Sequence, residues 1–414
     1  MAAQDKRNIV IIGGGIIGCT TAYFLSHHPT FSLATHSITL LEATDVASAA
    51  SGKAGGLLAL WAYPNCLVPL SFRLHAELAE RHDGVRRWGY RHLHCGSISA
   101  TVTPEKLASF ADKSPRRGDG APAENTDVEP AKDWEKLPKQ SADAVQLLQE
   151  AGVPLDLDWV DPETLDGYCE MGRPGATKTA QVHPFQFTTA IAELAREEGV
   201  DIRTGAQVTQ IKTSDGGVDS IEYRDRKTGE VHVLKEYTDV VVVVFEAEVS
   251  PWAIFTDIAL PRDYVPPHRA KKGQKRKHKR GVDPEIYARP NNEVYACGEP
   301  DSAIPLPETA DLVQTDPDQC EDLVAYISTI SPALRAAPVK ARQACYLPRH
   351  MRSGDERGPL IGPTLTPGLW VAAGHTCWGI QNGPATGYLM AQYILEGKAS
   401  AADIAELDPR TLKV

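Results

Sequence analysis

The stretch Asn8–Gly18, NIVIIGGGIIG, joins four branched residues to three glycines in G-x-G-x-x-G spacing. Ile9–Ile12 predicts a strand that is buried on both faces, as in a parallel sheet. Gly13 permits the tight turn after the strand, Gly15 leaves room for a pyrophosphate, and Gly18 lets the next helix pack close to the strand. The stretch therefore predicts a dinucleotide-binding turn with the phosphate at the N-terminus of a helix.

A second strand follows at the distance that such a turn requires. Cys19–Ser26 predicts the helix, and Ser37–Glu42, SITLLE, predicts a strand that ends on a carboxylate. Glu42 lies where an acidic residue binds the ribose of a dinucleotide, and its charge would repel the 2′-phosphate of NADP. The unit alone does not separate NAD from FAD, and a βαβ unit that binds no nucleotide is the alternative.

Composition and charge narrow the class of protein. The chain has 414 residues, enough for two domains or one two-lobed domain, and its 42% apolar and 23% charged residues are typical of soluble globular proteins. A formal net charge of −11 argues against a nucleic-acid partner. The apolar run Val240–Phe245 is only of strand length, so no integral membrane segment is predicted, and the N-terminus MAAQDKRN lacks the apolar core of a signal peptide.

The eight cysteines form no C-x-x-C pair. This pattern predicts neither a disulfide framework nor a zinc site, and we expect no metal. A reducing, cytoplasmic location follows as the expectation. The C-terminal residues TLKV differ from the peroxisomal targeting tripeptide.

Three further segments suggest how the sheet continues. Ala43–Ala59 is rich in Ala, Ser and Gly, so its backbone could lie against a flat ring. The apolar residues Leu57, Leu58, Leu60 and Trp61 are expected to be buried. Pro184 opens a helix that ends at Gly199. After it, Val200–Val244 predicts strands separated by turns, the last of which, Val240–Val244, returns to the parallel sheet.

A second sheet and two loops are predicted elsewhere. Asn291-Asn292 separates two alternating runs, which predicts a β-hairpin in an antiparallel sheet. Residues 112–141 carry many Pro, Gly and charged residues and predict a mobile insertion. The basic run 268–280 predicts a solvated loop, with a nuclear-localisation or phosphate-binding role as the alternative.

The C-terminal part returns to the nucleotide site. Leu369–Ala373 predicts a strand, and Pro384–Gly387 is expected to open a helix that continues to Leu395. The positive end of that helix dipole would stabilise negative charge on the pyrimidine ring of a reduced flavin. Pro359–Gly362, PLIG, is a small-residue turn that could line the same pocket.

These segments together carry a family resemblance. NIVIIGGGIIG with Glu42, SGKAGGLLA, HPFQF, PLIGP and AAGHTCWGIQNGPATG resemble the FAD-dependent D-amino-acid oxidase superfamily of glycine, sarcosine and D-amino-acid oxidases. The resemblance covers nearly the whole chain. It is strongest to a fungal subgroup of cytosolic FAD-dependent oxidoreductases linked to endosomal trafficking, which allows a peripheral endosomal association.

The resemblance implies an α/β fold in which a Rossmann-like FAD-binding domain of the glutathione-reductase type accompanies a discontinuous substrate domain with an antiparallel sheet. Residues 1–92, 180–245 and 345–414 would form the FAD-binding domain. Residues 93–179 and 246–344 would form the substrate domain.

The resemblance also implies which residues bind the cofactor. A backbone contact at Val208 would hold the adenine, and the start of the C-terminal helix would lie beside the flavin. The complete set of implied FAD contacts is Gly13, Gly15, Ile16, Ile17, Gly18, Glu42, Ser51, Gly52, Lys53, Gly55, Gly56, Leu57, Val208, Gly374, Gly379 and Ile380.

Family chemistry removes a hydride from the carbon next to an amine, and dioxygen reoxidises the flavin. The implied substrate is therefore an amino acid or secondary amine, and no side-chain base is strictly required. Tyr346 and Arg349 are candidates for binding a substrate carboxylate, with exposed loop residues as the alternative. His375 and Trp378 are candidates for facing the pocket, or for packing. Cys345 lies near the cysteine that bonds the flavin in covalent members, but its spacing favours a structural cysteine.

One region departs from the family pattern. After Val244 the chain runs Phe245–Trp252, FEAEVSPW, where the family has small residues and a Gly-Pro-Trp-like turn. A few tens of expected residues are absent here, through a gene-model or splicing error or as a real variant. Glu246 and Glu248 would repel the cofactor phosphates if they lay near them.

An FAD-dependent amine or amino-acid oxidase is the function that this sequence indicates. The alternative is a catalytically weak FAD-binding relative with a trafficking or scaffold role. An NADH-using flavin monooxygenase is less favoured, because the chain has no second G-x-G-x-x-G unit. The sequence does not indicate an oligomeric state.

Overall fold

The computed structural model describes residues 6–112, 146, 149–172, 178–226, 238–246, 249–278, 281–301 and 304–412. The described helices are α1 Ile16–Ser26, α2 Ala50–Lys53, α3 Val68–Arg81, α4 Gly84–Trp88, α5 Pro104–Asp112, α6 Pro184–Glu197, α7 Pro267–Lys271, α8 Pro317–Ser328, α9 Pro332–Ala336 and α10 Gly379–Glu396. The strands are β1 Arg7–Ile12, β2 His36–Leu41, β3 Leu57–Ala59, β4 Arg91–His92, β5 His94–Thr101, β6 Leu165–Gly172, β7 Thr179–Gln181, β8 Asp201–Arg203, β9 Ala206–Ser214, β10 Gly217–Asp225, β11 Thr238–Glu246, β12 Trp252–Ala259, β13 Glu285–Arg289, β14 Glu293–Asp301, β15 Val339–Leu347, β16 His350–Arg352, β17 Asp355–Arg357, β18 Leu360–Pro363 and β19 Trp370–Ala373.

A parallel sheet of β1, β2 and β8 carries the N-terminal βαβ unit, which confirms that prediction. β1 leads through the glycine turn into α1, and α1 packs against α6 and α10. Ile9 and Ile11 belong to the core, while Val10 and Ile12 are exposed, because successive strand residues point to opposite faces. The strand is therefore buried on one face, not on both.

Close contact between α1 and α10 depends on small residues. Gly387 of α10 lies so near α1 that an added Cβ would be 2.5 Å from the carbonyl carbon of Thr20. The Thr20 hydroxyl donates a hydrogen bond to the Gly383 carbonyl oxygen at 2.8 Å. This contact fixes the C-terminal helix beside the first helix of the dinucleotide unit.

We expect Gly387→Ala to lower the free energy of unfolding by roughly 1–3 kcal/mol, because the new methyl group would force the two helices apart. Urea unfolding followed by circular dichroism measures the change. Gly379→Ala, at the start of the same helix, is the matched control, since its Cβ would meet its nearest atoms at 3.9 and 4.0 Å. Equal destabilisation by both substitutions would contradict the close-packing explanation.

The second large sheet has seven strands in the order β15-β11-β14-β13-β12-β5-β6. Its neighbouring strands are antiparallel, as predicted, except β12 and β5, which run parallel. The predicted hairpin is confirmed: Asn291 and Asn292, with φ of 65° and 56°, connect β13 to β14. Consecutive positive φ values are what a two-residue type I′ turn requires.

The most consequential difference concerns the run Val240–Val244. We predicted that it returns to the parallel sheet, but in the structure it belongs to β11, between β14 and β15 of the seven-stranded sheet. The sheet that a strand joins depends on pairing partners that are distant in sequence, and a local apolar run does not specify them. Residues 240–245 thus lie in the seven-stranded sheet and not in the predicted parallel sheet.

Other segments also differ from expectation. The C-terminal helix begins at Gly379, so Pro384 lies inside it. Leu60 and Trp61 are 39% and 37% exposed, not buried. The basic run begins with α7, and the Arg269 guanidinium makes two hydrogen bonds of 2.6 Å with the buried carboxylate of Asp322 in α8, so this part is not a solvated loop. The predicted insertion falls, beyond its first residue, outside the described residues.

Candidate cofactor site

The glycine turn lies between two side chains that reach its backbone amides. The Gly14 amide donates to Glu42 Oε2 at 2.6 Å, and the Ile16 amide donates to Ser51 Oγ at 2.9 Å. Gly15 precedes the first residue of α1, so the positive end of the helix dipole lies at this turn. Three parts of the chain that are distant in sequence thus converge where a phosphate would bind.

The steric role of the glycines can be tested on the structure. An added Cβ at Gly15 would lie 3.0 Å from Ser51 Oγ, and one at Gly18 would lie 2.0 Å from the Gly13 carbonyl oxygen. At Gly52 it would lie 2.1 Å from the Ala47 carbonyl oxygen. The turn and the following α2 therefore form a close-packed cradle, and the residues present fit a dinucleotide pyrophosphate.

The predicted ribose contact is Glu42. Its carboxylate also accepts hydrogen bonds from the amide and hydroxyl of Thr44, at 2.7 and 2.9 Å. Its carbonyl oxygen accepts from the Ala206 amide at 2.8 Å, which brings the start of β9 beside it. Val208 follows two residues later in β9, so the predicted ribose and adenine contacts come to the same end of the parallel sheet.

A cleft of about 1390 Å³ adjoins the turn, and we call it the β1 cleft. Its lining comprises β1, the start of α1 with Ile17, the start of β10, residues 367–372, Met390 and Ile394. Ligand pockets commonly measure about 300–1,000 Å³. The volume of the β1 cleft thus exceeds that of a common ligand pocket.

The segment Lys53–Gly56 is held against the seven-stranded sheet. Lys53 Nζ donates to the Ala344 carbonyl oxygen at 2.9 Å, and the Arg289 guanidinium donates to the Ala54 carbonyl oxygen. An added Cβ at Gly55 would lie 2.2 Å from the Tyr287 ring. Gly56 has φ of +86°, and the following Leu57 is buried in β3. The predicted flavin segment therefore contacts the proposed substrate sheet directly.

The start of α10 lies beside the end of β3. Gln381 Oε1 accepts a hydrogen bond from the Ala59 amide at 2.7 Å. The buried Ile380 has its carbonyl oxygen 2.9 Å from His75 Nε2. Gly374, with φ of +86°, makes the turn into this region. The start of α10 thus lies beside the end of β3, and Gly379 lies beside Ile16 at the start of α1.

Three of the four candidate catalytic residues lie at or beside the loop that carries His375, and the fourth makes its hydrogen bond elsewhere. His375 is buried, with Nε2 2.9 Å from the Thr386 hydroxyl, and burial lowers its pKa to about 3, so the ring is neutral at physiological pH. Its backbone forms a bridge with Arg349, whose Nε donates to Glu356 Oε2 at 2.5 Å. Trp378 lies on the same loop as His375. Tyr346, by contrast, donates its hydroxyl hydrogen bond to the Pro305 carbonyl oxygen at 2.7 Å.

Trp378 belongs to a cluster of aromatic rings at the entrance to α10. Its ring centroid is 5.6 Å from that of Trp61 and 5.8 Å from that of Tyr63, both in edge-to-face geometry. Trp61 in turn contacts Phe255 of β12 at 6.0 Å. The cluster therefore joins the start of α10 to the seven-stranded sheet.

Sequence reasoning missed a polar face on the β13–β14 hairpin. The Tyr287 hydroxyl donates to Glu285, and the Tyr287 and Tyr295 rings stack with centroids 5.6 Å apart. The buried Arg289 guanidinium lies 4.7 Å from the centre of the Tyr295 ring. Burial raises the pKa of Glu285. The alternation of β13 was the available signal, since Glu285, Tyr287 and Arg289 occupy one face.

The dinucleotide cradle and the two contacting sheets define an FAD-binding oxidoreductase fold. The family described as DAO, FAD dependent oxidoreductase, matches residues 8–393, and the chain belongs to this family. FAD is its cofactor, and the protein is an FAD-dependent oxidoreductase. Cys345 is buried in β15. A structural role for its thiol stays the prediction, with covalent attachment of the flavin as the alternative.

Two fungal relatives and one solved structure illustrate the similarity. TDA3 of Saccharomyces cerevisiae is 32% identical, and the alignment covers 99% of this chain and 95% of the relative. C1F5.03c of Schizosaccharomyces pombe is 32% identical over 98% of both chains. Glycine oxidase from Geobacillus kaustophilus shares the fold, with a TM-score of 0.60, 18% identity and 98% of each chain covered.

Within the part of the chain that the structure describes, no helix combines the length and apolarity needed to cross a bilayer.

Proposed function

We propose that the protein oxidises the C–N bond of an amino acid or secondary amine and that dioxygen reoxidises the flavin. The observation that carries this proposal is the direct contact between Gly55 and the polar, aromatic face of β13–β14. A substrate held on that face would lie against the segment predicted to contact the flavin. The fold shared with a glycine oxidase supports the same reaction class.

Bound FAD would supply the hydride acceptor. The amides at Gly13–Gly18 would hold its pyrophosphate, Glu42 its ribose, and the backbone at Val208 its adenine. The N-terminal end of α10, at Gly379 and Ile380, would stabilise negative charge on the reduced ring. The convergence of the glycine turn, β9 and α10 described above supports these assignments.

The chain's own side chains would bind and prepare the substrate. Arg349 would exchange its ion pair with Glu356 for the carboxylate of an amino acid. Trp378 would pack against the substrate's apolar part. Glu285 would accept the proton of the substrate ammonium at Oε1, since Oε2 already accepts a hydrogen bond from the Tyr287 hydroxyl. Burial raises the pKa of Glu285 and makes it a stronger base than an exposed carboxylate. A neutral His375 would position the loop that carries Trp378.

Anaerobic titration with D-amino acids and N-methyl amino acids tests this function. We expect at least one member of the panel to bleach the flavin absorption, with hydrogen peroxide formed when air is readmitted. An oxygen analogue of each responsive substrate is the control and should leave the flavin oxidised; a hydroxyl replaces a primary amine and a methoxy group replaces an N-methyl amine. Failure of every amine to reduce bound FAD would contradict the proposal and favour a scaffold or trafficking role in the cytoplasm or at endosomes.

A further inference from the structure

Four aromatic side chains form a continuous surface beside the polar face of the β13–β14 hairpin, and we call them the aromatic patch: Trp61, Tyr63, Phe255 and Trp378. At its inner end, Phe255 is directly opposite Glu285 in the pairing of β12 with β13, so both side chains lie on one face of the sheet. At its outer end, Trp61 and Tyr63 are 37% and 46% exposed. The patch therefore extends from the carboxylate assigned to the substrate amine out to the surface.

The rings of the aromatic patch pack edge to face. Trp378 meets Trp61 and Tyr63 at interplanar angles of 88° and 74°, and Trp61 meets Phe255 at 68°. In such pairs the edge of one ring contacts the face of another, because the face is electron-rich and the edge electron-poor. A further aromatic ring can add to this arrangement, whereas a saturated ring of similar size has no such charge distribution.

Two buried amide side chains of α10 hold the segment that carries Trp61 and Tyr63. Gln381 Oε1 accepts the hydrogen bond from the Ala59 amide, and Asn382 Nδ2 donates to the Tyr63 carbonyl oxygen at 2.9 Å. The backbone between these two bonds is thus fixed on both sides of Trp61. A surface that is held in place before a ligand arrives loses little conformational freedom on binding, which favours affinity.

The indole of Trp378 carries a hydrogen-bond donor that the fold leaves unused. Its Nε1 is buried and has no acceptor in the part of the chain that the structure describes. A buried indole N–H usually has a partner, since an unmet donor costs stability. None of the four residues of the patch is among the FAD contacts that the family resemblance implies. An acceptor oxygen of a second ligand would satisfy this donor.

The size of the patch also indicates a ligand. Single exposed apolar side chains are normal on protein surfaces, whereas contiguous ones mark binding sites. Leu60, which is 39% exposed, extends the apolar surface between Ala59 and Trp61. A substrate as small as glycine or sarcosine would leave most of this surface in water, whereas a substrate with an aromatic ring would cover it.

We propose that the aromatic patch selects the substrate, which is an amino acid or secondary amine that carries an aryl group. This specificity rests on the proposed function, since the polar face receives the reacting end of the molecule. The amine would lie at Glu285, the aryl ring would pack against Phe255 and Trp61, and an oxygen of the substrate would accept from Trp378 Nε1.

Flavin reduction by matched amino acids tests the selection, with both enantiomers of each assayed. We expect kcat/KM for phenylalanine to exceed that for alanine by roughly 30-fold or more, because the ring adds a large apolar contact. It should exceed that for cyclohexylalanine by roughly threefold or more, because only the aryl ring adds to the edge-to-face packing. Equal values for phenylalanine and either of the other two would overturn the proposal.

Substitution within the patch gives a second test. Trp61→Leu should lower kcat/KM for phenylalanine by roughly tenfold, mainly through a higher KM, and should change that for alanine by less than about twofold. Tyr223→Leu removes an exposed ring on β10, outside the patch, and should change neither value. An equal loss for phenylalanine and alanine in Trp61→Leu would show a structural role and contradict selection by the patch.

Binding of an amino acid that cannot react separates this proposal from the proposed function. α-Methylphenylalanine has no hydrogen on the carbon that carries its amine, so it cannot give up a hydride, and α-methylalanine is the matched control. Calorimetric titration of the FAD-loaded protein should show binding of α-methylphenylalanine that is tighter by roughly tenfold or more and is weakened to the same extent in Trp61→Leu. Such binding without flavin reduction by any amine would contradict the oxidase function and retain the aryl site. Equal affinity for the two probes would overturn the aryl site, even if alanine reduces the flavin.

Discussion

Gly18→Ala is expected to weaken FAD binding by at least 100-fold, about 2.8 kcal/mol at 1.4 kcal/mol per tenfold change. The added Cβ would lie 2.0 Å from the Gly13 carbonyl oxygen. The turn would have to open, which would move the amides that hold the pyrophosphate away from the N-terminus of α1. Reconstitution of apoprotein with FAD, followed by flavin fluorescence, measures the affinity.

Two controls make this prediction specific. Gly216→Ala should bind FAD normally, because its Cβ would meet only Ser214 Oγ, at 3.8 Å. Ser51→Ala removes the side chain that accepts from the Ile16 amide but leaves the turn's shape intact, so it separates a lost contact from a misfolded turn. Wild-type affinity in folded Gly18→Ala would show that the cofactor does not depend on this turn.

Glu285→Gln is expected to lower kcat/KM by roughly 100-fold or more, the range of general acid–base catalysis. The pKa of Glu285 is raised by burial, and only the ionised carboxylate can accept a proton. Wild-type kcat/KM should therefore fall as pH decreases through this raised pKa, and that acid limb should disappear in the amide variant. Stopped-flow flavin reduction across a pH series measures both effects.

Substitution of a carboxylate outside the polar face of the β13–β14 hairpin is the control for loss of a negative charge. Glu222→Gln changes an exposed residue that pairs with Lys212 on the β9–β10 ribbon, and it should leave the reduction rate and its pH profile unchanged. If Glu285→Gln lowers the rate but retains the acid limb, the residue has a structural role only, and another group accepts the proton.

The dinucleotide turn could be predicted from sequence because its determinants are local. Gly13, Gly15 and Gly18 meet steric demands within one turn, and Glu42 follows on the adjacent strand. The β13–β14 hairpin was equally accessible, since Asn291-Asn292 encodes its own backbone geometry. In both cases the residues that specify the structure lie within a few positions of one another or in one βαβ unit.

The remaining features depend on contacts between distant segments. The position of β11 depends on its pairing with β14 and β15, which five consecutive valines do not encode. Glu285 and Tyr287 acquire their environment only when the hairpin packs on Gly55, about 230 residues earlier in the chain. His375 was a reasonable pocket candidate by its place in the loop, but its ring turns toward Thr386 of α10.

The visible spectrum of the purified protein tests the central claim most directly, because every role assigned above depends on FAD at the glycine turn. We predict a yellow protein with bands at about 370 and 450 nm, the absorption of oxidised flavin, and the bands should be lost in Gly18→Ala. A folded protein that is colourless as purified and gains no such bands after incubation with FAD would contradict the account.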